Sequence, residues 1–230
     1  MSLTDLPLAA MDTETTGVRI HSDRIVTASI CVVDGSQVHT DEFMLNPGIE
    51  IPDEAANVHG ITTERAYEEG QDYAEGYAEI RGRLETIWAQ GRLIAGMNLA
   101  FDLSILHHEG MRLGYPPLQI GAVFDVYVVD RAIDQFRRGK RNLAALCEHY
   151  GVKQTDAHQS TGDALAAARL AYVLRKRPEL ADYDVDALMA AQAAWHRDRQ
   201  DSYRQWLLGR GETERAETVS SEWPLQHKAA

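Results

Sequence analysis

The fold is decided by ten residues near the start of the chain, LAAMDTETTG at positions 8–17. The apolar run from Leu8 to Met11 predicts a buried strand, and strand side chains alternate between the two faces of a sheet. Asp12 and Glu14 at its end therefore point to the same side, where they repel each other unless a cation lies between them. Mg²⁺ and Mn²⁺ suit such oxygen ligands. The alternative is that both acids decorate a sheet edge and cap the turn at Gly17.

Further strand signals follow on the C-terminal side of this stretch. Arg24 to Val33 is rich in Ile, Val and Thr, and Val38 to Leu45 comes after the turn Asp34-Gly35-Ser36. A connection this short predicts an antiparallel hairpin. Two later apolar runs, Leu93 to Met97 and Ala122 to Val126, predict two more strands.

Apolar residues at helical spacing predict helices between and after these strands. The predicted helices cover residues 62 or 63 to 69, 73–89, 101–113, 128–136, 142–150, 160–174 and 184–208. Three antiparallel strands followed by alternating strands and helices predict an α/β fold. Its sheet is mixed and five-stranded, with helices on both faces.

Composition limits the class of protein. The 230 residues suffice for one domain with a large buried core. No apolar run approaches the roughly 18 residues of a membrane helix, and the first residues lack a signal pattern, so we expect a cytoplasmic protein without membrane contact. Two distant cysteines, Cys31 and Cys147, exclude a disulfide framework and a cysteine zinc site. The net charge of −12 argues against long, non-specific duplex binding.

Three more residues that could take part in catalysis lie at, or just before, the starts of helices. Asp102 and Asp163 each fall in the first turn of a predicted helix, and His158 lies in the loop before the second. Each has a simpler interpretation, since the helix dipole favours acids there and a single histidine is more often a surface or core residue. Only their combination with the first two acids indicates a site.

Together, these residues resemble a known family. Asp12 with Glu14, then Asp102, then His158 with Asp163 match in order the three motifs of the DEDDh exonucleases. That family includes the proofreading epsilon subunit of bacterial replicative DNA polymerase, oligoribonuclease and ribonuclease T. The resemblance extends from about residue 8 to residue 174.

Other stretches look like the epsilon-type branch of the family. They are Asn46-Pro47-Gly48, Val58-His59-Gly60-Ile61-Thr62 and the helix from Leu143 to Tyr150. The spacing from His158 to Asp163 is that of the histidine subclass. One departure is Met97, which stands where epsilon-type sequences usually carry a histidine.

The resemblance implies a ribonuclease H-like fold and a catalytic role for each motif residue. Two divalent ions, Mg²⁺ or Mn²⁺, would lie about 3.5–4 Å apart and neutralise the attacking and leaving oxygens of a phosphodiester. Asp12 would bridge both ions, with Glu14 and Asp163 completing the first site and Asp102 serving the second. His158 would be the general base that takes a proton from the attacking water.

Substrate contacts are expected around the first two motifs and at one basic run. The terminal nucleotide would contact Thr13, Thr15, Thr16, Gly17, Met97, Asn98 and Phe101. For Phe101, ordinary core packing is an equal alternative. The basic run offers phosphate contacts from Arg137, Arg138, Lys140 and Arg141, with a solvated loop as the alternative.

The predicted organisation has three parts. An exonuclease domain covers residues 1–178, a C-terminal helical extension covers 179–208, and a polar, aperiodic tail covers 209–230 and is expected to be mobile. The extension carries a stripe of Trp and Tyr. We interpret that stripe as core packing or a homodimer contact rather than a surface for stacking nucleic acid.

The predicted activity is 3′→5′ exonucleolytic hydrolysis of single-stranded or frayed DNA, releasing nucleoside 5′-monophosphates. DNA is preferred on the epsilon-type resemblance alone. Two alternatives stay open: an RNA exonuclease with the same mechanism, and a non-catalytic module that binds nucleic acid or a partner protein. Association with a polymerase or a sliding clamp also stays open.

Overall fold

A computed structural model of the chain describes residues 2–154 and 159–227. His158, the predicted general base, lies outside the described residues. Across the described ranges, every helix is either too short or too polar to cross a lipid bilayer.

One mixed sheet organises the molecule. Its strands are β1 (Leu8–Thr15), β2 (Ile25–Asp34), β3 (Gln37–Met44), β4 (Leu93–Gly96) and β5 (Val123–Asp125). They lie in the order β3-β2-β1-β4-β5, with antiparallel pairing from β3 to β1 and parallel pairing from β1 to β5. The predicted five-stranded mixed sheet is confirmed. β1 joins its antiparallel and parallel halves.

The described residues form nine α-helices, of which seven match predicted helices. They are α1 (Asp53–His59), α2 (Thr63–Glu69), α3 (Tyr73–Ala89), α4 (Leu99–Arg112), α5 (Val126–Ile133), α6 (Leu143–Tyr150), α7 (Ser160–Leu174), α8 (Val185–Gly209) and α9 (Thr213–Thr218). Neither α1 nor α9 was predicted. Both are so short that an apolar stripe cannot repeat within them.

Helices cover the sheet on both faces, as predicted. On one face, α3 and α4 bury a core that includes Met11, Leu84 and Leu103. On the other face, α5, α6, α7 and the start of α8 bury a second core that includes Ala10 and Leu170. Burial of one such leucine side chain contributes about 1.5–3 kcal/mol to folding. The central strand β1 is thus fixed from both sides.

Residues 209–227 of the predicted tail make defined contacts with the rest of the fold. After α9 the chain runs back onto α4, where Trp223 and Leu225 pack against the core of that face. The backbone N–H of Gln226 donates to Ser104 Oγ over 2.8 Å. Single side chains and main-chain bonds make these contacts, so the sequence shows no periodic pattern that predicts them.

Candidate active site

Side chains along β1 point alternately to the two faces of the sheet, so the residues of the first motif lie on both faces. Ala10 belongs to the core beneath α7, and Met11 belongs to the core beneath α4. Continued alternation turns Asp12 and Glu14 toward α7 and Thr13 toward α4. The acids were predicted at the end of the first strand, and β1 carries Asp12, Thr13 and Glu14 within its ladder. Their orientations are therefore set by the sheet itself.

Three carboxylates meet on the α7 side of β1. One carboxylate oxygen from each of Asp12, Glu14 and Asp163 lies within 4.8 Å of the others. Neither Asp12 nor Glu14 forms an ion pair with a basic side chain in the described part of the chain. The geometry thus brings together the two acids of the first motif and the acid of the third.

Burial and mutual repulsion make the charged forms of these three carboxyl groups unfavourable. Burial first, and then the charges of Asp102, Glu14 and Asp163, raise the pKa of Asp12 well above its usual value. Burial, followed by Asp163 and Asp102, raises the pKa of Glu14 to about 7. The cluster therefore needs protons or cations to offset its charge near neutral pH.

Asp102 reaches the first motif from the opposite face of the sheet. Its side chain is buried at the start of α4, and Oδ1 accepts two hydrogen bonds from Thr13. The Thr13 backbone N–H donates over 2.9 Å and its hydroxyl over 2.6 Å. Burial raises the pKa of Asp102 to about 7, although the Thr13 bonds oppose that shift. Thr13, predicted to contact substrate, is thus engaged in positioning a carboxylate.

The start of α7 is attached to the sheet through hydroxyl groups. Ser29 lies directly opposite Asp12 in the ladder and faces α7 with it. The Ser29 hydroxyl lies 2.7 Å from that of Ser160 and 2.8 Å from that of Thr161. Asp163 follows within the same first turn. These hydroxyls therefore determine how close the third acid comes to the first two.

A second contact positions Asp163 from the chain before the helix. Gln154 Nε2 donates to Asp163 Oδ1 over 2.8 Å. The sequence pattern reveals neither this bond nor the Ser29 attachment. Two polar residues inside the apolar run of β2, Thr27 and Ser29, are a signal for the attachment of α7, and both contact Ser160.

Asp125 at the end of β5 is a structural neighbour of the site. It is fully buried and caps α5 by accepting from the N–H groups of Tyr127 and Val128. It also accepts the N–H of Asn98 over 3.2 Å. Burial raises the pKa of Asp125 to about 6. Asn98 is thereby held in a left-handed conformation (φ 61°) at the start of α4.

The three residues after Glu14 form a braced turn. The Thr15 hydroxyl donates to the Gly17 carbonyl over 2.6 Å, and Thr16 Oγ accepts the N–H of Arg24 over 3.0 Å. A Cβ on Gly17 would collide with the carboxylate of Asp23. A larger residue would therefore displace the Asp23 side chain, which accepts from the N–H of Arg19, and both threonine side chains serve the turn.

The predicted contacts of the second motif lie beside an open groove. Met97 and Asn98 line a groove of about 600 Å³ that leads away between α5 and α8. Met97 is half-buried, and Asn98 is exposed. Phe101 is half-buried against the core beneath α4, which fits the packing alternative given for it.

The basic run divides into two pairs. Arg137 and Arg141 each lie 2.8 Å from the buried carboxylate of Asp130 in an internal ion-pair network. Arg138 and Lys140 are exposed. Only the second pair is therefore placed to meet a phosphate without breaking internal bonds.

The carboxylate cluster suits a hard divalent cation. All its donors are oxygens, their separation allows shared coordination, and a cation would relieve the repulsion that raises their pKa values. Asp12, Glu14 and Asp163 are thus able to hold a metal ion. Asp102 lies close enough to Asp12 to raise its pKa, but is not among the three clustered residues.

Comparison with known proteins agrees with this geometry. Residues 9–171 match the family model described as Exonuclease (RNase T), which covers most of the chain. The chain belongs to this exonuclease family. Over 176 residues it is 32% identical to the "DNA polymerase III subunit epsilon-like protein" of Rhodobacter capsulatus, covering 72% of this chain and 23% of the relative.

Solved structures of exonuclease I share the fold. The E. coli enzyme in complex with a dT13 oligonucleotide matches with a TM-score of 0.65 at 22% identity, over 81% of this chain and 46% of the other. A moderately thermophilic exonuclease I from Methylocaldum szegediense matches with a TM-score of 0.63 at 23% identity, over 76% and 41%. This exonuclease-family chain therefore spans about a quarter of its curated relative and under half of these structures.

Proposed function

We propose that this chain is a 3′→5′ exonuclease of the DEDDh type. It removes nucleoside 5′-monophosphates from a single-stranded or frayed 3′ end, and its substrate is DNA. The observation that carries the proposal is the cluster of Asp12, Glu14 and Asp163 in an exonuclease domain. A binding module has no need of like charges held so close that their pKa values rise.

Four carboxylates would hold the divalent ions, Mg²⁺ or Mn²⁺. Asp12, Glu14 and Asp163 form one site, and Asp102 contributes to a second next to Asp12. When bound, the ions supply positive charge to the attacking and leaving oxygens of the phosphodiester.

The chain's own groups orient the carboxylates and move the proton. Thr13 fixes Asp102 through two hydrogen bonds, and Gln154 together with the Ser29 attachment of α7 fixes Asp163. His158 accepts a proton from the attacking water at an imidazole nitrogen, a role that suits a group titrating near neutral pH. The water oxygen bonds to phosphorus as the bond from phosphorus to the 3′-oxygen breaks.

The choice of DNA rests on similarity. The Rhodobacter relative is named for the epsilon subunit of DNA polymerase III, and the E. coli structure contains a dT13 oligonucleotide. A polymerase partner, a homodimer and a cytoplasmic location stay predictions.

The test is an end-labelled assay with DNA and RNA strands of matched sequence. Each is incubated with Mg²⁺, with Mn²⁺ or with EDTA, and products are resolved by length. We expect stepwise shortening of DNA from its 3′ end with either metal and none in EDTA. Faster shortening of RNA would identify an RNA exonuclease, and intact strands under every condition would favour the binding module.

A further inference from the structure

A row of aromatic and cationic side chains lies on one face of α8. Arg199, Tyr203, Trp206 and Arg210 are spaced by four, three and four residues, so they share a helix face. The Tyr203 and Trp206 rings are nearly parallel, at 17°, with centroids 5.9 Å apart. Arg199 lies 5.4 Å from the Tyr203 centroid, and Arg210 lies 4.8 Å from that of Trp206. Trp206 is 53% exposed, whereas Tyr203 is half-buried against the cluster around Leu207, so the Trp206 end of the stack faces solvent.

The row shares a groove with two residues of the second motif. Arg199 and Tyr203 line the same groove as Met97 and Asn98, the two residues that precede α4 and its Asp102. Arg131 lines the groove from α5. A strand whose 3′ end reaches the carboxylates can therefore leave through this groove and pass along α8.

The charge of the groove suits a polyanion. Among the described residues, neither Arg131 nor Arg199 is ion-paired with an acidic side chain. Arg131 instead lies 5.4 Å from the Tyr127 ring centroid. At the far end, Arg210 pairs with Glu212 over 2.9 Å. Two uncompensated arginines thus stand on opposite walls of one groove in a chain of net charge −12.

Core packing, one of the two interpretations given for the Trp and Tyr stripe, accounts for only part of it. Trp195 does pack inward, against the core and 5.8 Å from the Tyr183 ring. Trp206, further along α8, remains exposed. An apolar partner or a second copy would cover Trp206 but would leave Arg199 and Arg131 without counter-charges. A single nucleic-acid strand supplies both bases to stack and phosphates to pair.

We propose that Arg131, Arg199, Tyr203 and Trp206 form a track for the single strand upstream of its 3′ end. Bases stack on Tyr203 and Trp206, while phosphates contact Arg131 and Arg199. The inference rests on the proposed function and adds that long 3′ strands are preferred over very short ones. Because α8 lies beyond the matched residues 9–171, this preference belongs to this chain rather than to its family domain.

Binding is tested in a chain that cannot cut. D12N serves as the parent, and anisotropy of fluorescent single-stranded DNA of about 12 nucleotides, compared with a dinucleotide, reports affinity in EDTA. Adding W206A or R199A should each weaken binding of the long strand about tenfold, and R199A should lower the salt slope by about one. W206Y should retain most of the affinity, since it keeps a stacking ring.

Two matched controls separate the track from general surface effects. Arg197 is exposed on the opposite side of α8, and Tyr172 is an exposed ring flanked by cations on α7. R197A and Y172A should bind like the parent. The proposal is overturned if W206A and R199A also bind the long strand like the parent, or if W206A changes the sedimentation coefficient, which would mark a contact between copies.

Kinetics with the active chain keep this proposal separate from the proposed function. In the wild-type background, W206A should raise KM for the long strand without changing kcat, and should leave dinucleotide hydrolysis unchanged. Absence of hydrolysis in the wild type overturns the proposed function, whereas the binding measurements still decide the track. Normal hydrolysis with unaltered binding by the track variants overturns the track alone.

Discussion

At the scale of single residues, Thr13 joins two motifs that are far apart in sequence. It lies between the acids of the first motif but faces the opposite side of the sheet, where its N–H and hydroxyl bind Asp102. Hydrogen bonds to charged groups are stronger than neutral ones. Position 13 therefore determines where the acid of the second motif is held.

Replacing the Thr13 hydroxyl tests this role. T13V keeps the shape and the backbone bond but removes the hydroxyl donor, so we expect kcat/KM to fall about tenfold with the fold retained. T13S, which keeps the donor, should restore most of the activity. Steady-state rates and circular dichroism measure both effects. Full activity in T13V would show that the hydroxyl bond does not position Asp102.

The raised pKa of Glu14 predicts how stability depends on pH. Because its folded-state pKa is about 7, above that of an unfolded glutamate, the folded protein binds more protons between these values. Without metal, stability should therefore fall as the pH rises from about 5 to about 7. Mn²⁺ should restore it, and most strongly at the higher pH, where fewer protons compete.

Melting temperatures in EDTA and in Mn²⁺ measure this dependence. E14Q cannot ionise and should show a smaller decline in EDTA and a weaker response to Mn²⁺. If Mn²⁺ raised the melting temperatures of wild type and E14Q equally at the lower and the upper end of this pH range, the result would contradict the cation site.

At the scale of elements, the attachment of α7 to β2 determines the position of the third acid. S29A removes the Ser29 bonds of Ser160 and Thr161, whose hydroxyls keep contacts with Thr27 and Glu42, and a lost hydrogen bond costs about 0.5–1.5 kcal/mol. We expect a loss of stability in that range in urea denaturation, together with a lower kcat. S36A, in the exposed turn between β2 and β3, should change neither. A loss of stability with normal kcat would uncouple the attachment from the site.

The contact between α4 and the C-terminal segment should depend on pH. Burial, followed by neighbouring charges, lowers the pKa of His107, and burial also lowers that of His108, whose Nε2 lies 2.8 Å from the Gln226 carbonyl. The other groups around this pair are His21, His227 and Arg81. Detachment of the segment would expose His107 and His108 and let them bind protons more readily, so acidification below about pH 6.5 should weaken the contact.

Hydrogen exchange at the Gln226 amide, corrected for intrinsic rates, reports this contact directly. Protection should fall on acidification in the wild type and depend less on pH in a variant with H107Q and H108Q. Unchanged protection in the wild type would contradict the prediction.

The ends of helices and strands were predictable where apolar residues recur with one regular spacing. The apolar spacing of α7 gives its ends at Ser160 and Leu174 as the structure has them. The acids interrupt the apolar pattern of β1, so that pattern covers only Leu8 to Met11, although the ladder continues to Thr15. The packing of residues 219–227 depends on tertiary contacts and leaves no local pattern.

The site was predictable to a similar extent. Alternation alone places Asp12 beside Glu14, and motif order adds Asp163, which the structure brings to the same cluster. The bonds from Thr13 and Gln154 depend on how helices dock on the sheet, which a local pattern cannot show.

At the scale of the whole molecule, the distribution of charge matters more than its sum. Composition cannot show which arginines are neutralised internally. Arg137 and Arg141 belong to the densest basic run but are paired with buried Asp130. Arg131 and Arg199, isolated in sequence, come together in one groove with Met97 and Asn98. The net charge of −12 is therefore compatible with a local path for a nucleic-acid strand.

The most direct test of the central claim is the polarity and metal dependence of hydrolysis in wild type and D12N. Single-stranded DNA labelled at the 3′ end or at the 5′ end is incubated with Mn²⁺, and D186N, an exposed acid on α8, serves as the matched control. We predict immediate release of the 3′ label as a mononucleotide by wild type and D186N. We predict a rate at least about 10³-fold lower in folded D12N. Undiminished hydrolysis by D12N, or release beginning at the 5′ end, would contradict the account.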